Sequence, residues 1–261
     1  NSAGAGATPT AGSVKIDGSN LGSALAGTIA ATRLSANTTS GFSIVKYTGN
    51  DTAGATLAHG LGVAPEFVQV KNLTIAQDWY GTSPELGTTG DTTGGLDEYY
   101  MIQLNSDGGK ADFGQDNVFG FTSTTFSVGS SGVMNGVNNS SYSYVAYLFA
   151  SIEGYSKVGI YEGNGDTDGP FIYTGFSPKF FLSKNIDNAQ NWTIQGYAPG
   201  YNPEDRKLIP NETGAEGTGS NLDFLSNGVK WRVDYNEGNR SGDTFLYMAF
   251  AESPFKTANA R

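Results

Sequence analysis

Few residues in this chain could do chemistry. His59 is the single histidine among 261 residues, and cysteine is absent. A Ser–His–Asp triad or a His-ligated metal would have to use that one side chain, in Ala58-His59-Gly60, while thiolate catalysis and Cys-based metal sites are excluded. A lone histidine in a turn-rich stretch points to a structural role, a hydrogen bond that steadies the loop. Zinc would be left with carboxylates alone, a ligand set that metal seldom takes.

Hard cations remain possible. Asn164-Gly165-Asp166-Thr167-Asp168-Gly169 places oxygen ligands at alternate positions before a glycine, which matches the opening of a calcium loop. Asn164, Asp166 and Asp168 are its candidate ligands. The twelfth position is Gly175 and not the bidentate Glu that an EF-hand needs. An Asx-type turn accounts for the same residues, since Asn and Asp side chains bond their own backbone. No other cofactor is indicated.

Carboxylate pairs such as Asp97-Glu98 and Glu204-Asp205 raise glycoside hydrolysis, but such pairs act by geometry, and solvated loop acids are the ordinary reading. The chain is therefore read as a non-enzyme. Aromatics among Gly, Asp and Asn suggest binding instead: Tyr99, Tyr100, Tyr197, Tyr201, Trp231 and Tyr235. Sugar rings stack on aromatic faces while Asp and Asn bond hydroxyls. The matched pair Trp79 and Trp192 reads as core.

The elements that must position these residues are strands. Glycine supplies 37 residues, about twice the usual roughly 7%. Aromatics make up 12%. That mixture reads as short strands joined by tight turns. The formal charge of −10 would repel a nucleic-acid backbone, and no basic cluster offsets it. No apolar run approaches the roughly 20 residues of a membrane helix. Asn1-Ser2-Ala3-Gly4 lacks the charged and apolar regions of a secretory leader.

From Phe42 onward the chain repeats itself. Tyr47-Thr48-Gly49-Asn50 recurs as Tyr161-Glu162-Gly163-Asn164, an offset of 114. Gly62-Val63-Ala64-Pro65 recurs as Gly175-Phe176-Ser177-Pro178, and Trp79 as Trp192, at 113. The closing runs Tyr144 to Ala150 and Phe245 to Ala251 match at 101, so the second copy lacks about a dozen residues of loop. These closing runs read as central strands buried on both faces. The expected architecture is all-β: residues 1–40 a flexible or extended arm, 41–153 and 154–256 two tandem antiparallel β-sandwiches of jelly-roll type, and 257–261 a tail.

Tyr47-Thr48-Gly49-Asn50, His59-Gly60-Leu61-Gly62-Val63-Ala64-Pro65, Tyr144 to Ala150 running into Glu153-Gly154-Tyr155-Ser156-Lys157, and Ala249 to Lys256 carry a resemblance. Over roughly residues 42–256, the chain resembles a repeated β domain of virion proteins in tailed bacteriophages, notably those of marine hosts. The resemblance implies a tail fibre or other appendage that contacts the host surface, with glycans as candidate ligands. Its partners would be other virion proteins and further copies of itself, a trimer favoured by that setting. It implies assembly in a bacterial cytoplasm and release in the particle. Two other readings stand beside it, a capsid decoration or head-fibre protein bracing the shell, and a virion-borne polysaccharide depolymerase.

Overall fold

The structure is a computed structural model that describes residues 8–87, 100–112, 120–129, 136–198 and 200–252. It is all-β. Among these residues the single helical turn is a 3-10 turn, Pro84–Leu86, capped by the Ser83 side chain on the Glu85 N–H. No helix among them is long and apolar enough to cross a membrane. The chain divides into two compact units. Unit 1 takes the residues up to Gln103 together with Ala111–Ala150, and unit 2 takes Leu104–Lys110 together with the residues from Ser151 on.

In unit 1 the strands are β1 (Val14–Ile16), β2 (Ser19–Asn20), β3 (Arg33–Asn37), β4 (Phe42–Thr48) and β5 (Ala55–Ala58). Then follow β6 (Phe67–Asn72), β7 (Trp79–Thr82), β8 (Met101–Gln103), β9 (Thr125–Val128) and β10 (Ser143–Phe149). Eight of them form one sheet in the order β2-β1-β3-β4-β10-β6-β7-β8, and β5 with β9 forms a second sheet. All pairings are antiparallel except β1 with β3. Val45 and Tyr47 of β4, Ala146 and Leu148 of β10 and Val68 and Val70 of β6 face Leu57, Phe126 and Val128 of the small sheet in one core.

Unit 2 has β11 (Ser156–Glu162), β12 (Phe171–Tyr173), β13 (Pro178–Asn185), β14 (Trp192–Gly196), β15 (Leu222–Leu225), β16 (Gly228–Trp231) and β17 (Thr244–Ala251). A four-stranded sheet, β11-β17-β13-β14, and a three-stranded sheet, β12-β16-β15, enclose Phe181, Tyr247 and Ala249 from one side and Ile172, Phe224, Val229 and Trp231 from the other. This is sandwich-like, with four-plus-three strands among the described residues.

The last strand of each unit is central, β10 between β4 and β6 and β17 between β11 and β13. Burial on both faces holds only for β17. In β10 burial alternates: Tyr144, Ala146 and Leu148 point into the core, while Val145, Tyr147 and Phe149 are half-buried on the opposite face.

Residues 14–37 do not stand apart as an arm. Leu34 and Ala36 of β3, with Val14, Ile29 and Ala31, are buried in the core of unit 1, and β3 pairs with β4 from Arg33↔Lys46 to Asn37↔Phe42. Their composition hid this. Small and polar residues occupy the exposed positions of an alternating exposed–buried strand, so the average of the segment looks uncommitted while its inward positions are apolar.

Contacts in unit 1 have counterparts in unit 2. The Tyr47 hydroxyl donates to the Val137 carbonyl at 2.6 Å, and the Tyr161 hydroxyl to that of Gly238 at 2.7 Å. Tyr47 stacks on Tyr144 and Tyr161 on Phe245, at 5.2 and 5.1 Å. Asn138 accepts from the Asn50 N–H and donates to Thr52, while Asn239 accepts from Asn164 and donates to Asp166. Lys71 donates to the Gln77 carbonyl and Lys184 to that of Gln190. The turn before β6 and β13 aligns differently from the expectation. Gly60, Gly62 and Gly175 all have positive φ, but only Gly60 and Gly175 precede a buried residue, Leu61 and Phe176, whereas Val63 after Gly62 is 49% exposed. In its local contacts Gly175 therefore resembles Gly60 more than Gly62.

Candidate functional site

A shallow cleft of about 270 Å³ lies in unit 2, beside the edge strand β14. Its lining is Ile194 and Gly196 of β14, then Glu204, Arg206, Lys207, Leu208 and Glu216 from the long connection to β15. Two bridges fold that connection against the sheets: Leu208 pairs with Ile194, and Glu204 with Leu222. Ile194 and Leu208 give apolar surface, and charges surround it.

Glu204 is 1% exposed and receives a two-pronged bond from Arg206, Nε to Oε1 at 2.7 Å and Nη2 to Oε2 at 2.8 Å. Those bonds hold the Glu204 carboxyl below its ordinary range, against the opposing effect of burial. A glycosidase acid needs the reverse, a raised carboxyl, so Glu204 is unsuited to that role. It positions Arg206 instead. Two of the five guanidinium N–H donors are spent on Glu204, and the rest remain for solvent or ligand. The Arg206 guanidinium lies 4.2 Å from the centre of the Tyr201 ring, and Tyr201 stays 53% exposed. Lys207 is bound by Glu237 at 2.9 Å and donates to the Tyr235 hydroxyl, over whose ring it lies.

The aromatics proposed from sequence separate. Tyr201 and Tyr235 adjoin the cleft through Arg206 and Lys207. Tyr197 follows Gly196 and is half-buried under Lys179, 4.3 Å from its ring. Trp231 is core: fully buried, it donates its indole N–H to Tyr161 at 3.0 Å and offers no ligand surface. Tyr100 belongs to unit 1, where its carbonyl accepts from Thr82. Trp192 is buried as expected, while Trp79 is half-buried and stacks on Tyr147. Tyr99, Asp97 and Glu98 lie outside the described residues, as do residues 253–261. Arg206, Lys207 and Leu208 were missed by the sequence reading, although Arg206-Lys207 two residues after Glu204 is a legible ion-pair spacing.

The Asn164–Asp168 stretch is a turn. Asn164 Oδ1 accepts from the Asp166 N–H at 3.0 Å, and Asp166 Oδ1 accepts from the Asp168 N–H at 2.8 Å. Asp168 faces Lys230 at 3.0 Å and Arg232 at 3.5 Å, and the lysine bond lowers its carboxyl pKa. Two cations at that carboxylate oppose a calcium ion there, and no group of three acidic or His ligands occurs among the described residues. His59 is fully buried. Its Nδ1 accepts from the Leu61 N–H at 3.2 Å, which leaves Nε2 as the donor to the Thr122 carbonyl at 3.1 Å. Burial lowers its pKa. Both nitrogens are engaged in holding loops, as the sequence reading expected.

The chain belongs to a family described only as a domain of unknown function, DUF7483, whose model matches residues 11–254. The match spans both units and the segment that carries β1 to β3. No curated protein and no solved structure matches the chain.

Proposed function

We propose that this chain is a non-catalytic structural and binding component of a bacteriophage particle, an appendage of tail-fibre type whose second unit contacts surface glycans. In this reading the two units are tandem copies of one sandwich domain. The paired Tyr, Asn and Lys contacts support that duplication. The observation that carries the binding role is Tyr201, an exposed ring held by an arginine that a buried glutamate orients, beside a cleft that Arg206 lines together with Ile194, Leu208 and further charged side chains. A pyranose has the matching character, an apolar ring face edged by hydroxyls. A volume of about 270 Å³ suits one sugar ring. The family supplies no function against which to weigh it.

The test is binding of the purified chain to a panel of bacterial surface polysaccharides. Wild type should retain on at least one of them, and Tyr201→Ala should weaken that binding about tenfold, the scale of one lost ring stack. No release of reducing sugar should accompany binding. A panel with no binder, or an unchanged Tyr201→Ala, contradicts the reading.

A further inference from the structure

A strand at the rim of a sheet exposes unpaired N–H and C=O groups, and most rims here are blunted. β2 has two residues and β12 three. β8 is bridged by Ala111, β9 by Phe121, β14 by Leu208 and β15 by Glu204. β5 receives the Thr28 and Ile29 N–H groups on the Thr56 carbonyl. β11, seven residues long, is the exception.

The free groups on β11 follow from its pairing. The Ala251 N–H bonds to the Tyr155 carbonyl, and the Gly163 N–H to that of Asp243. In an antiparallel pair such bonds recur at alternate residues, so the odd-numbered residues bond β17 and the even-numbered ones face outward. Ser156 is closed by Ile152, and the Val158 N–H is taken by the Ser151 hydroxyl. The Val158 carbonyl and both backbone groups of Ile160 and Glu162 have no backbone partner among the described residues.

In unit 1 the matching rim is filled. β4, whose Tyr47 corresponds to Tyr161, carries β3 along it, and Thr32 bonds the Lys46 carbonyl at 2.7 Å. Lys46 is the counterpart of Ile160. The covered rim thus has a lysine, and the open one has an isoleucine 44% exposed. That inverts the usual protection, in which charge guards the open edge. Lys157 bonds the Tyr173 carbonyl at 2.9 Å, so β12 lies beside this rim, where Phe171 and Tyr173 are 45% and 58% exposed.

We propose that β11 pairs with β11 of a second copy of this chain, antiparallel, about a two-fold axis at Ile160. The register is self-complementary. Ile160 exchanges both bonds with its equivalent, and each Glu162 N–H meets a Val158 carbonyl. Glu162 lies opposite Val158, Lys157 opposite Gly163 and Tyr161 opposite Gly159, so no like charges meet. A strand edge alone buries less than the on the order of 1,200 Å² that a stable dimer needs. Phe171 and Tyr173 supply apolar area beside it. A head-to-tail ring through this sheet would use the opposite rim, which Leu208 already bridges. The two-fold therefore replaces the trimer that the phage resemblance implies.

The test is the mass of the full chain in solution at tens of micromolar, by light scattering or sedimentation. Wild type should give twice the 27.4 kDa of one chain. Ile160→Lys, which restores the unit 1 residue, and Ile160→Pro, which removes the outward N–H, should each give the single-chain mass with unchanged circular dichroism. Leu73→Lys, at an exposed leucine of unit 1, should leave the dimer intact. A monomeric or trimeric wild type, or a dimer that survives both Ile160 changes, overturns the proposal.

Discussion

At the residue scale, His59 converts burial into a pH dependence. It is held neutral because Nδ1 accepts a hydrogen bond that an imidazolium could not accept, and because burial opposes the charge. Its folded pKa lies below the unfolded value near 6.5. The unfolded chain therefore takes up a proton that the folded chain refuses as pH falls below about 6.5. Stability is retained above that pH and declines below it, by at most about 1.4 kcal/mol per pH unit. Denaturant titrations at pH 7.5 and 5.5 should show this decline in wild type, and His59→Asn should flatten it. A wild-type stability that is level over this interval contradicts the account. The role of His59 was legible because it is the one histidine and the turn around it is rich in glycine. The fate of Trp231 was not. Its neighbours in sequence are polar, and only the pairing of β15 with β16 turns the ring inward.

At the element scale, the two units are tied at the same points by buried asparagines. Asn239 joins the turn after β11 to the segment before β17, with its Oδ1 on the Asn164 N–H and its Nδ2 on the Asp166 and Val233 carbonyls. Asn239→Asp would turn the donor toward those carbonyls into a third acceptor. A loss of about 2–3 kcal/mol of unfolding free energy is expected, against a few tenths for Asn236→Asp on the surface of the same unit. Equal effects at both positions would show that the tie is not structural. Strand positions were readable where one residue type dominates, as in the closing runs and the stretch around Phe67. The N-terminal strands were not, because Gly, Ala, Ser and Thr dominate residues 8–40, where Val14, Ile29, Leu34, Ala31 and Ala36 are buried in the core and Ile16, Leu21 and Leu25 pack against it half-buried. Alternation over a strand as short as Arg33–Asn37 is easily lost in such a background. The Gly62 alignment failed for a related reason. Proline at 65 and 178 anchors both turns, but two more residues precede it in unit 1, and since Gly60, Gly62 and Gly175 all have positive φ, only the burial of Leu61 and Phe176, against an exposed Val63, separates the alternatives.

At the scale of the whole molecule, unit 2 offers several surfaces for partners among the described residues. It holds the cleft edged by Tyr201 and Arg206, the open β11 rim, and the exposed Phe171 and Tyr173. The cleft lies in the connection from β14 to β15, and connections are the usual place for binding residues on a rigid scaffold. Sequence could point to Tyr201 as a loop aromatic but not to the company it keeps. Arg206, Leu208 and Ile194 meet only because the connection folds back along β14. Tyr100 and Tyr197 shared its composition without its surroundings. The proposed appendage, binding glycans through one face and joining copies through another, would use both of these surfaces of unit 2. The central claim is the place of this chain in a phage particle. Imaging of the intact virion at a resolution that traces β-strands tests it most directly. The account predicts a small number of copies projecting from the tail, with the Tyr201 cleft facing outward. Absence of the chain from the particle, or hundreds of copies laid over the capsid shell, would contradict it.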